Sequence, residues 1–175
     1  MLEEKLRGII KEVQDFPTPG IGFKDLSPLL QQPMIWKEIS AYFCSKFSDK
    51  SIDAVAAIES RGFWFGILLA EMLSVPLIPV RKAGKLPGNV ISCSYSLEYG
   101  SACIEMQSEA VKPGANILIH DDVLATGGTA EATAQLIHKA GAEIAGFTFI
   151  AELGFLKGRE KLQPLSPVIS IVNYQ

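Results

Sequence analysis

Apolar residues at the start of the chain recur at helical spacing. Leu2, Leu6, Ile9 (or Ile10) and Val13 form one apolar stripe, and this spacing predicts an amphipathic helix. We expect the helix to stop at residues 16–20 (Phe-Pro-Thr-Pro-Gly), because two prolines and a glycine cannot continue it.

A second helix is predicted over residues 33–47 by the same apolar spacing. Before it, Ser27 followed by Pro28 is typical of a helix N-cap with proline at the first helical position. The expected buried stripe of the second helix consists of Trp36, Ile39, Phe43 and Phe47.

Short apolar runs then alternate with helix-length segments. The runs lie at residues 52–58, 76–80, 117–119, 143–150 and 168–172, and the helical segments lie at 63–73 and 129–140. This alternation indicates an α/β fold with a mainly parallel, twisted sheet flanked by helices. Residues 89–106 are more polar and offer no crossover helix, so we expect a hairpin or lid there. Ligands of open α/β sheets bind beyond the carboxyl ends of the strands, which makes the strand exits the first candidates for function.

The turn that follows residues 117–119 has the residues of a phosphate site. Gly127 and Gly128 allow backbone amides to approach a ligand closely, and Thr126 and Thr129 add hydroxyl donors. The start of the next helix adds partial positive charge, so the turn suits a phosphomonoester. The alternative interpretation is an ordinary strand–loop–helix connection with a glycine turn.

Two adjacent carboxylates, Asp121 and Asp122, precede that turn. They suit the 2′ and 3′ hydroxyls of a ribose, because a diol needs acceptors whereas a phosphate is repelled by carboxylates. One ligand that presents a phosphate and a diol fits both halves of the motif. The alternative is a solvated acidic pair. The stretch contains neither a Walker lysine motif nor a G-x-G-x-x-G turn.

The other two strand exits are basic. Arg61 follows one apolar run, and Arg81, Lys82 and Lys85 follow the next. Such a cluster suits a polyanionic group, and arginine can hold phosphate with a fork of donors. A solvated basic loop is the alternative for residues 81–85.

Composition limits the possible class. The chain has 175 residues, 48% of them apolar, which predicts a single domain over residues 1–175 with a full core. Sixteen Lys and Arg against 19 Asp and Glu leave a net charge of −3, which argues against a nucleic-acid-binding domain. Cys44, Cys93 and Cys103 form no C-x-x-C pair, and no apolar run approaches the ~20 residues of a membrane span. We therefore expect a soluble, cytoplasmic protein with reduced thiols.

Taken together, these residues resemble the type I phosphoribosyltransferases. Residues 120–129 (His-Asp-Asp-Val-Leu-Ala-Thr-Gly-Gly-Thr) are similar to the family's site for 5-phosphoribosyl-1-pyrophosphate (PRPP). Narrower motifs resemble the members that act on adenine, and they lie at residues 16–20, 59–63, 80–87, 95–100 and 156–162. The resemblance implies the type I fold with a small hood and a flexible hairpin lid. The N-terminal helix and base-binding loop then occupy about residues 1–30 and the lid about residues 89–106.

The resemblance also implies an activity: transfer of the phosphoribosyl group from PRPP to adenine, giving AMP and pyrophosphate in purine salvage. It implies a homodimer that binds neither nucleic acid nor membrane. It further implies Mg²⁺ as cofactor, held mainly by PRPP and water with no direct protein ligand.

Residue roles follow from the same resemblance. Asp121 and Asp122 would bind the ribose hydroxyls, and the 5′-phosphate would be bound by Ala125, Thr126, Gly127, Gly128 and Thr129. The pyrophosphate would be held by Ser60, Arg61, Arg81, Lys82 and Lys85, with Arg61 also stabilising the leaving group. Adenine would lie against Gly22, Phe23, Lys24 and Leu153. Glu98 would act as general acid/base and Tyr99 would help to close the site, and the peptide bond between Glu59 and Ser60 would be cis.

Four positions depart from the family pattern. Lys24 stands where related enzymes often carry arginine, and Gly22 replaces a common aliphatic residue. Ala83 replaces a frequent proline or arginine. His120 occupies a usually aliphatic position, either as a pH-sensitive neighbour of Asp121 or as a buried, hydrogen-bonded side chain.

Two other functions stay open at this point. One is transfer to hypoxanthine, guanine, xanthine or orotate, for which the base loop at residues 16–24 is the discriminating feature. The other is a PRPP-sensing regulator, which should carry a nucleic-acid module or a basic face; the net charge of −3 and the candidate acid Glu98 argue against it.

Overall fold

The structure is a computed structural model, and it describes residues 1–16, 19–20, 22–96 and 101–175. The helices are α1 (Leu2–Ile9), α2 (Pro33–Lys46), α3 (Gly62–Leu73), α4 (Gly128–Lys139) and α5 (Gly158–Leu162). The strands are β1 (Lys11–Val13), β2 (Phe23–Asp25), β3 (Ala54–Ile58), β4 (Leu77–Lys82), β5 (Val90–Ser96), β6 (Ser101–Gln107), β7 (Asn116–Leu124), β8 (Glu143–Leu153) and β9 (Val168–Tyr174). Short 3₁₀ turns occupy Ser27–Gln31 and Gly154–Leu156.

The main sheet has seven strands in the order β5-β6-β4-β3-β7-β8-β9. Strands β4, β3, β7, β8 and β9 run parallel to one another, whereas β6 is antiparallel both to β4 and to the edge strand β5. This confirms the α/β fold with a mainly parallel sheet and the hairpin predicted at 89–106. A separate antiparallel ribbon pairs β1 with β2.

The core lies on both faces of the sheet. One apolar cluster packs α4 against the sheet through residues such as Ile119, Leu136 and Phe147. The other packs the first three helices on the opposite face and includes Leu6 and Phe43. Every residue of β3 is buried, which explains why its sequence is continuously apolar and does not alternate.

Three local expectations were wrong. Helix α1 ends at Ile9, because Ile10 has extended backbone angles and the chain then pairs with β2. Val13 is accordingly exposed and lies outside the apolar stripe. Ser27 caps no helix: it opens a 3₁₀ turn, and its hydroxyl bonds Asp25 Oδ1. Trp36, expected on the buried stripe of α2, is only half-buried, whereas its neighbour Ile35 is buried. The Trp36 indole N–H donates a hydrogen bond to the Leu29 carbonyl at 2.8 Å.

His120 is fully buried in β7 beneath α2 and α3. Its Nδ1 lies 3.0 Å from Thr148 Oγ1, and that hydroxyl donates its own proton to the Ile119 carbonyl at 3.2 Å. The Thr148 oxygen is therefore the acceptor, and His120 donates through Nδ1–H. Burial lowers the pKa of His120 to about 3, so the ring is neutral at pH 7. Of the two alternatives for this residue, the structure favours the buried, hydrogen-bonded side chain.

We expect His120 to make folding acid-sensitive. Its folded pKa of about 3 lies below the ordinary value of 6.5, so the unfolded chain binds the extra proton between these limits. Its contribution to stability is complete above pH 6.5 and is lost as pH falls toward 3, with a slope approaching ~1.4 kcal/mol per pH unit. Urea unfolding across this range should show a shallower slope for His120→Val. The exposed His138 provides the control, His138→Gln, which should retain the wild-type slope. Equal slopes for wild type and His120→Val would contradict this interpretation.

Candidate active site

The carboxyl ends of β3 and β7 meet the β1–β2 ribbon around a cavity of about 430 Å³. It is lined by Gly22, Phe23, Lys24, Glu59, Ser60, Arg61, Asp121, Asp122, Val123, Ala125 and Leu153. The cavity thus brings all the residues predicted for the base together with the acidic pair and the first basic exit. Glu59 and Val123 also line it, although neither was among the predicted site residues.

The acidic pair lies within β7, because this strand continues to Leu124 instead of ending before the carboxylates. Asp121 Oδ1 accepts a hydrogen bond from the Asp122 amide at 2.8 Å. Burial raises the pKa of both carboxyls, and the neighbouring Asp122 charge raises that of Asp121 further. At Asp122 the Arg61 guanidinium opposes this, since Arg61 Nε lies 2.9 Å from Asp122 Oδ2. The pair therefore presents one half-buried and one buried acceptor, and Arg61 favours the charged form of both.

Arg61 joins three parts of the cavity. It stands immediately before α3, pairs with Asp122 and places its guanidinium carbon 4.8 Å from the centroid of the Phe23 ring. The edge of Phe23 packs against Phe16, with ring centroids 5.1 Å apart. The peptide bond between Glu59 and Ser60 is cis, as the resemblance implied. The guanidinium therefore contacts both the Asp122 carboxylate and the Phe23 ring.

The glycine turn after β7 is closely packed against the start of α5. Gly127 has a φ of +78°, and a Cβ there would lie 2.7 Å from the Gly158 carbonyl oxygen. A Cβ on Gly158 would in turn collide with the Ala125 carbonyl oxygen. Helix α4 begins at Gly128, and a compartment of about 70 Å³ lies between this turn and Asp121. The predicted phosphate residues thus surround one small space, and Thr129 Oγ1 within it bonds the Tyr95 hydroxyl at 3.0 Å.

Two of the remaining cations, Arg81 and Lys85, and the backbone of Lys82 converge on Glu59. Its carboxylate accepts hydrogen bonds from Lys85 Nζ at 2.7 Å, from Arg81 Nε at 3.2 Å and from the Lys82 amide at 3.1 Å. The Lys85 bond is the main reason why the pKa of Glu59 falls to about 2. These three cations line no part of the main cavity. Their contacts with Glu59 connect this basic loop to the cavity, which Glu59 lines. In the sequence, Glu59 could have been noticed as an acidic residue close to the basic strand exits.

Lys24 and Leu153, both predicted to contact the base, line the cavity and lie next to Tyr174. The Lys24 ammonium lies 2.7 Å from Glu12 Oε2 and 4.2 Å from the centroid of the Tyr174 ring. Leu153 ends β8 and pairs in register with Tyr174 of β9. Neither Glu12 nor Tyr174 was found by sequence reasoning.

Glu98 and Tyr99 lie outside the described residues, between the ends of β5 and β6, so their roles stay predictions. Within the described ranges there is no group of three or more His, Cys, Asp or Glu residues arranged to hold a metal ion. In the same part of the chain, no helix has the length and apolarity needed to cross a membrane.

Comparison with known proteins identifies the class. Residues 25–173 match the family model described as the phosphoribosyl transferase domain. The chain belongs to the phosphoribosyltransferase family. A protein of Cytophaga hutchinsonii named adenine phosphoribosyltransferase is 49% identical over 175 residues, covering 99% of this chain and 97% of that protein.

Solved structures give the same class. The crystal structure of adenine phosphoribosyltransferase from Rhodothermus marinus superposes with a TM-score of 0.94 at 45% identity, covering 99% of this chain and 98% of that one. The enzyme from Saccharomyces cerevisiae, complexed with adenine and an imino-altritol bisphosphate, superposes with a TM-score of 0.92 at 38% identity, covering 97% and 98%. These values confirm the type I phosphoribosyltransferase fold.

Proposed function

We propose that the chain transfers the 5-phosphoribosyl group from PRPP to adenine, yielding AMP and pyrophosphate in cytoplasmic purine salvage. The main support is one cavity that is lined by both the base loop and the Asp121–Asp122 pair. It shares Asp121, Val123 and Ala125 with the small compartment at the glycine turn. Relatives named for this reaction cover nearly the whole chain, which supports adenine as the base.

Each part of the cavity has a task in this reaction. The turn at 125–129 anchors the 5′-phosphate through backbone amides and the start of α4. Asp121 and Asp122 accept hydrogen bonds from the ribose hydroxyls, which fixes the anomeric carbon relative to the base. Adenine lies between Phe23 and Leu153, both of which line the cavity.

The departing pyrophosphate needs cations already in place. Negative charge develops on this group as the bond to the anomeric carbon breaks, and preorganised donors stabilise that charge. Arg61 and Ser60 line the cavity directly. The side chains of Arg81 and Lys85 and the backbone N–H of Lys82 contact Glu59, which lines the cavity, and from this loop the three cations bind the outer phosphate.

Mg²⁺ fits this site as an ion carried by the substrate. Asp122 Oδ2 is already paired with Arg61 Nε at 2.9 Å, so the PRPP phosphates and water would supply most of the magnesium ligands. Magnesium commonly uses one or two carboxylates together with substrate phosphates and waters. When bound, it neutralises charge on the diphosphate.

The direct test is a spectrophotometric assay with PRPP and Mg²⁺, comparing adenine with hypoxanthine and guanine. We expect AMP formation with adenine and far slower turnover of the 6-oxopurines. Faster reaction with hypoxanthine or guanine would assign the chain to another base, and PRPP binding without any product would favour the regulator.

Replacing both carboxylates should weaken PRPP binding. Asp121→Asn with Asp122→Asn keeps the shape but removes the charge that strengthens each hydrogen bond to the diol, so we expect PRPP KM to rise about 10-fold. Steady-state kinetics with adenine in excess measures this effect. Asp53→Asn is the control, because Asp53 only bonds the Asn116 amide at the opposite end of β7. Unaltered PRPP affinity in the double variant would remove the diol hypothesis.

Exposed apolar side chains on α3 support the proposed homodimer. Ile67 is 51% exposed and Met72 41% exposed on this helix, whose sequence is almost wholly apolar. Exposed apolar patches of this kind commonly mark interfaces. Light scattering after size exclusion should give twice the monomer mass of 19.0 kDa. Ile67→Glu should shift the protein toward the monomer, and a monomeric wild type would contradict the dimer.

A further inference from the structure

The base loop is held to the last strand of the sheet through Lys24. This side chain is only 12% exposed, and its ammonium contacts two partners: the Glu12 carboxylate and the face of the Tyr174 ring. The guanidinium of Arg7 lies over the same ring, 5.0 Å from its centroid. Cations over an aromatic face are attracted to the ring, more strongly when partly desolvated. The end of Lys24 is therefore fixed although it carries a full charge.

Glu12 connects this contact to the backbone of the base loop. It pairs with Lys24 across the β1–β2 ribbon, beside the pair of Val13 with Phe23. Glu12 Oε1 accepts a hydrogen bond from Gln14 Nε2 at 2.9 Å, and a Cβ on Gly22 would lie only 2.7 Å from the same oxygen. Glycine at position 22 thus leaves room for the carboxylate that holds Lys24. The two departures from the family pattern, Gly22 and Lys24, share one partner.

Tyr174 connects Lys24 to the opposite wall of the cavity. It lies on β9 directly beside Leu153 of β8 in the strand register. Phe23 precedes Lys24 in β2, and both Phe23 and Leu153 line the cavity. The contact between Lys24 and Tyr174 therefore connects β2, which carries Phe23, to β9, which lies next to Leu153 of β8.

We propose that Glu12, Lys24 and Tyr174 form a clamp that sets the spacing of Phe23 and Leu153, and with it the affinity for the base. The inference rests on the proposed function and names the residues that tune its base subsite. Glu12 and Tyr174 act through Lys24 and are positioning residues.

The first test compares the two substrates. Glu12→Gln keeps the shape but removes the charge, so we expect adenine KM to rise about 5-fold, the size expected for one partly exposed ion pair. The kcat and the PRPP KM should stay within about two-fold of wild type, since the phosphate and diol sites are untouched. Glu38→Gln is the matched control, because it removes an ion pair of the same 2.7 Å length, with Lys5, away from the cavity.

The second test uses Tyr174. Tyr174→Phe retains the ring under Lys24 and should leave adenine KM unchanged, whereas Tyr174→Leu removes the ring and should raise it. Gly22→Ala should also raise adenine KM, because its methyl group displaces the Glu12 carboxylate. In a Glu12→Ala background the same change should have no further effect, since the carboxylate is already absent.

The outcomes separate the clamp from the proposed function. A wild-type protein that makes no AMP from adenine and PRPP overturns the function, and the clamp with it. If wild type makes AMP, the clamp alone is overturned by an unchanged adenine KM in Glu12→Gln. It is likewise overturned by an equal rise of both KM values, or by additive effects of Glu12→Ala and Gly22→Ala.

Discussion

Arg61→Ala should reduce kcat on the order of 10²–10³-fold, the usual loss when one preorganised donor to a developing anion is removed. Two contacts explain why the effect is large. The guanidinium lies 2.9 Å from the buried Asp122 carboxylate, and it also covers the face of Phe23. Without Arg61, the pKa of the buried Asp122 carboxyl rises further, which weakens Asp122 as a charged acceptor for the diol. Steady-state kinetics with both substrates saturating measures the loss.

Arg61→Lys separates charge from geometry. Lysine restores a positive charge near Asp122 but has no planar fork, so it should recover only part of the activity. Thermal unfolding of both variants checks that the fold persists. A decrease of only a few-fold in Arg61→Ala would assign this residue to structure and leave the leaving group to Lys85 and its neighbours.

Glu98→Ala should depress kcat by about 10²–10⁴, the range typical of a general acid or base. As the bond from adenine to the anomeric carbon forms, the base becomes acidic at its other imidazole nitrogen, and a carboxylate at Glu98 is expected to take that proton. PRPP affinity should change far less, because the phosphate, diol and pyrophosphate groups are bound elsewhere. Initial rates at varied PRPP give both values.

The matched control is Glu109→Ala, an exposed acid just beyond β6. It removes the same charge from the same hairpin region and should leave kcat unchanged. Equal losses of kcat and PRPP affinity in Glu98→Ala would contradict proton transfer and indicate a binding role.

The alternation of apolar runs and helical segments was sufficient to predict the main sheet. Strand β3 is buried on both faces, so its continuously apolar sequence could form only an interior strand. The prediction that the first helix extends to Val13 was wrong, because apolar spacing alone does not distinguish the end of a helix from a short strand. That distinction depends on a partner, and β2 lies ten residues further along the chain.

The candidate site divides in the same way. Asp121, Asp122 and the turn that follows are contiguous in the chain, so their types and order alone predicted a site for a phosphate and a diol. The assembly of Phe23 and Leu153 into one cavity depends on contacts between distant segments, which composition and spacing do not encode. The partners of the charged groups also depend on contacts between segments that are distant along the chain.

The sequence by itself determined the α/β class and the family and predicted the site for a phosphate and a diol, because these depend on residues that are neighbours along the chain. Only the tertiary structure decided that Glu59 gathers the basic loop, that Arg61 lies against Asp122 and Phe23, and that Glu12 and Tyr174 hold Lys24. The physical reason is that ion pairs and ring contacts depend on distances of a few ångströms. Those distances are set only when the strands align and the core closes.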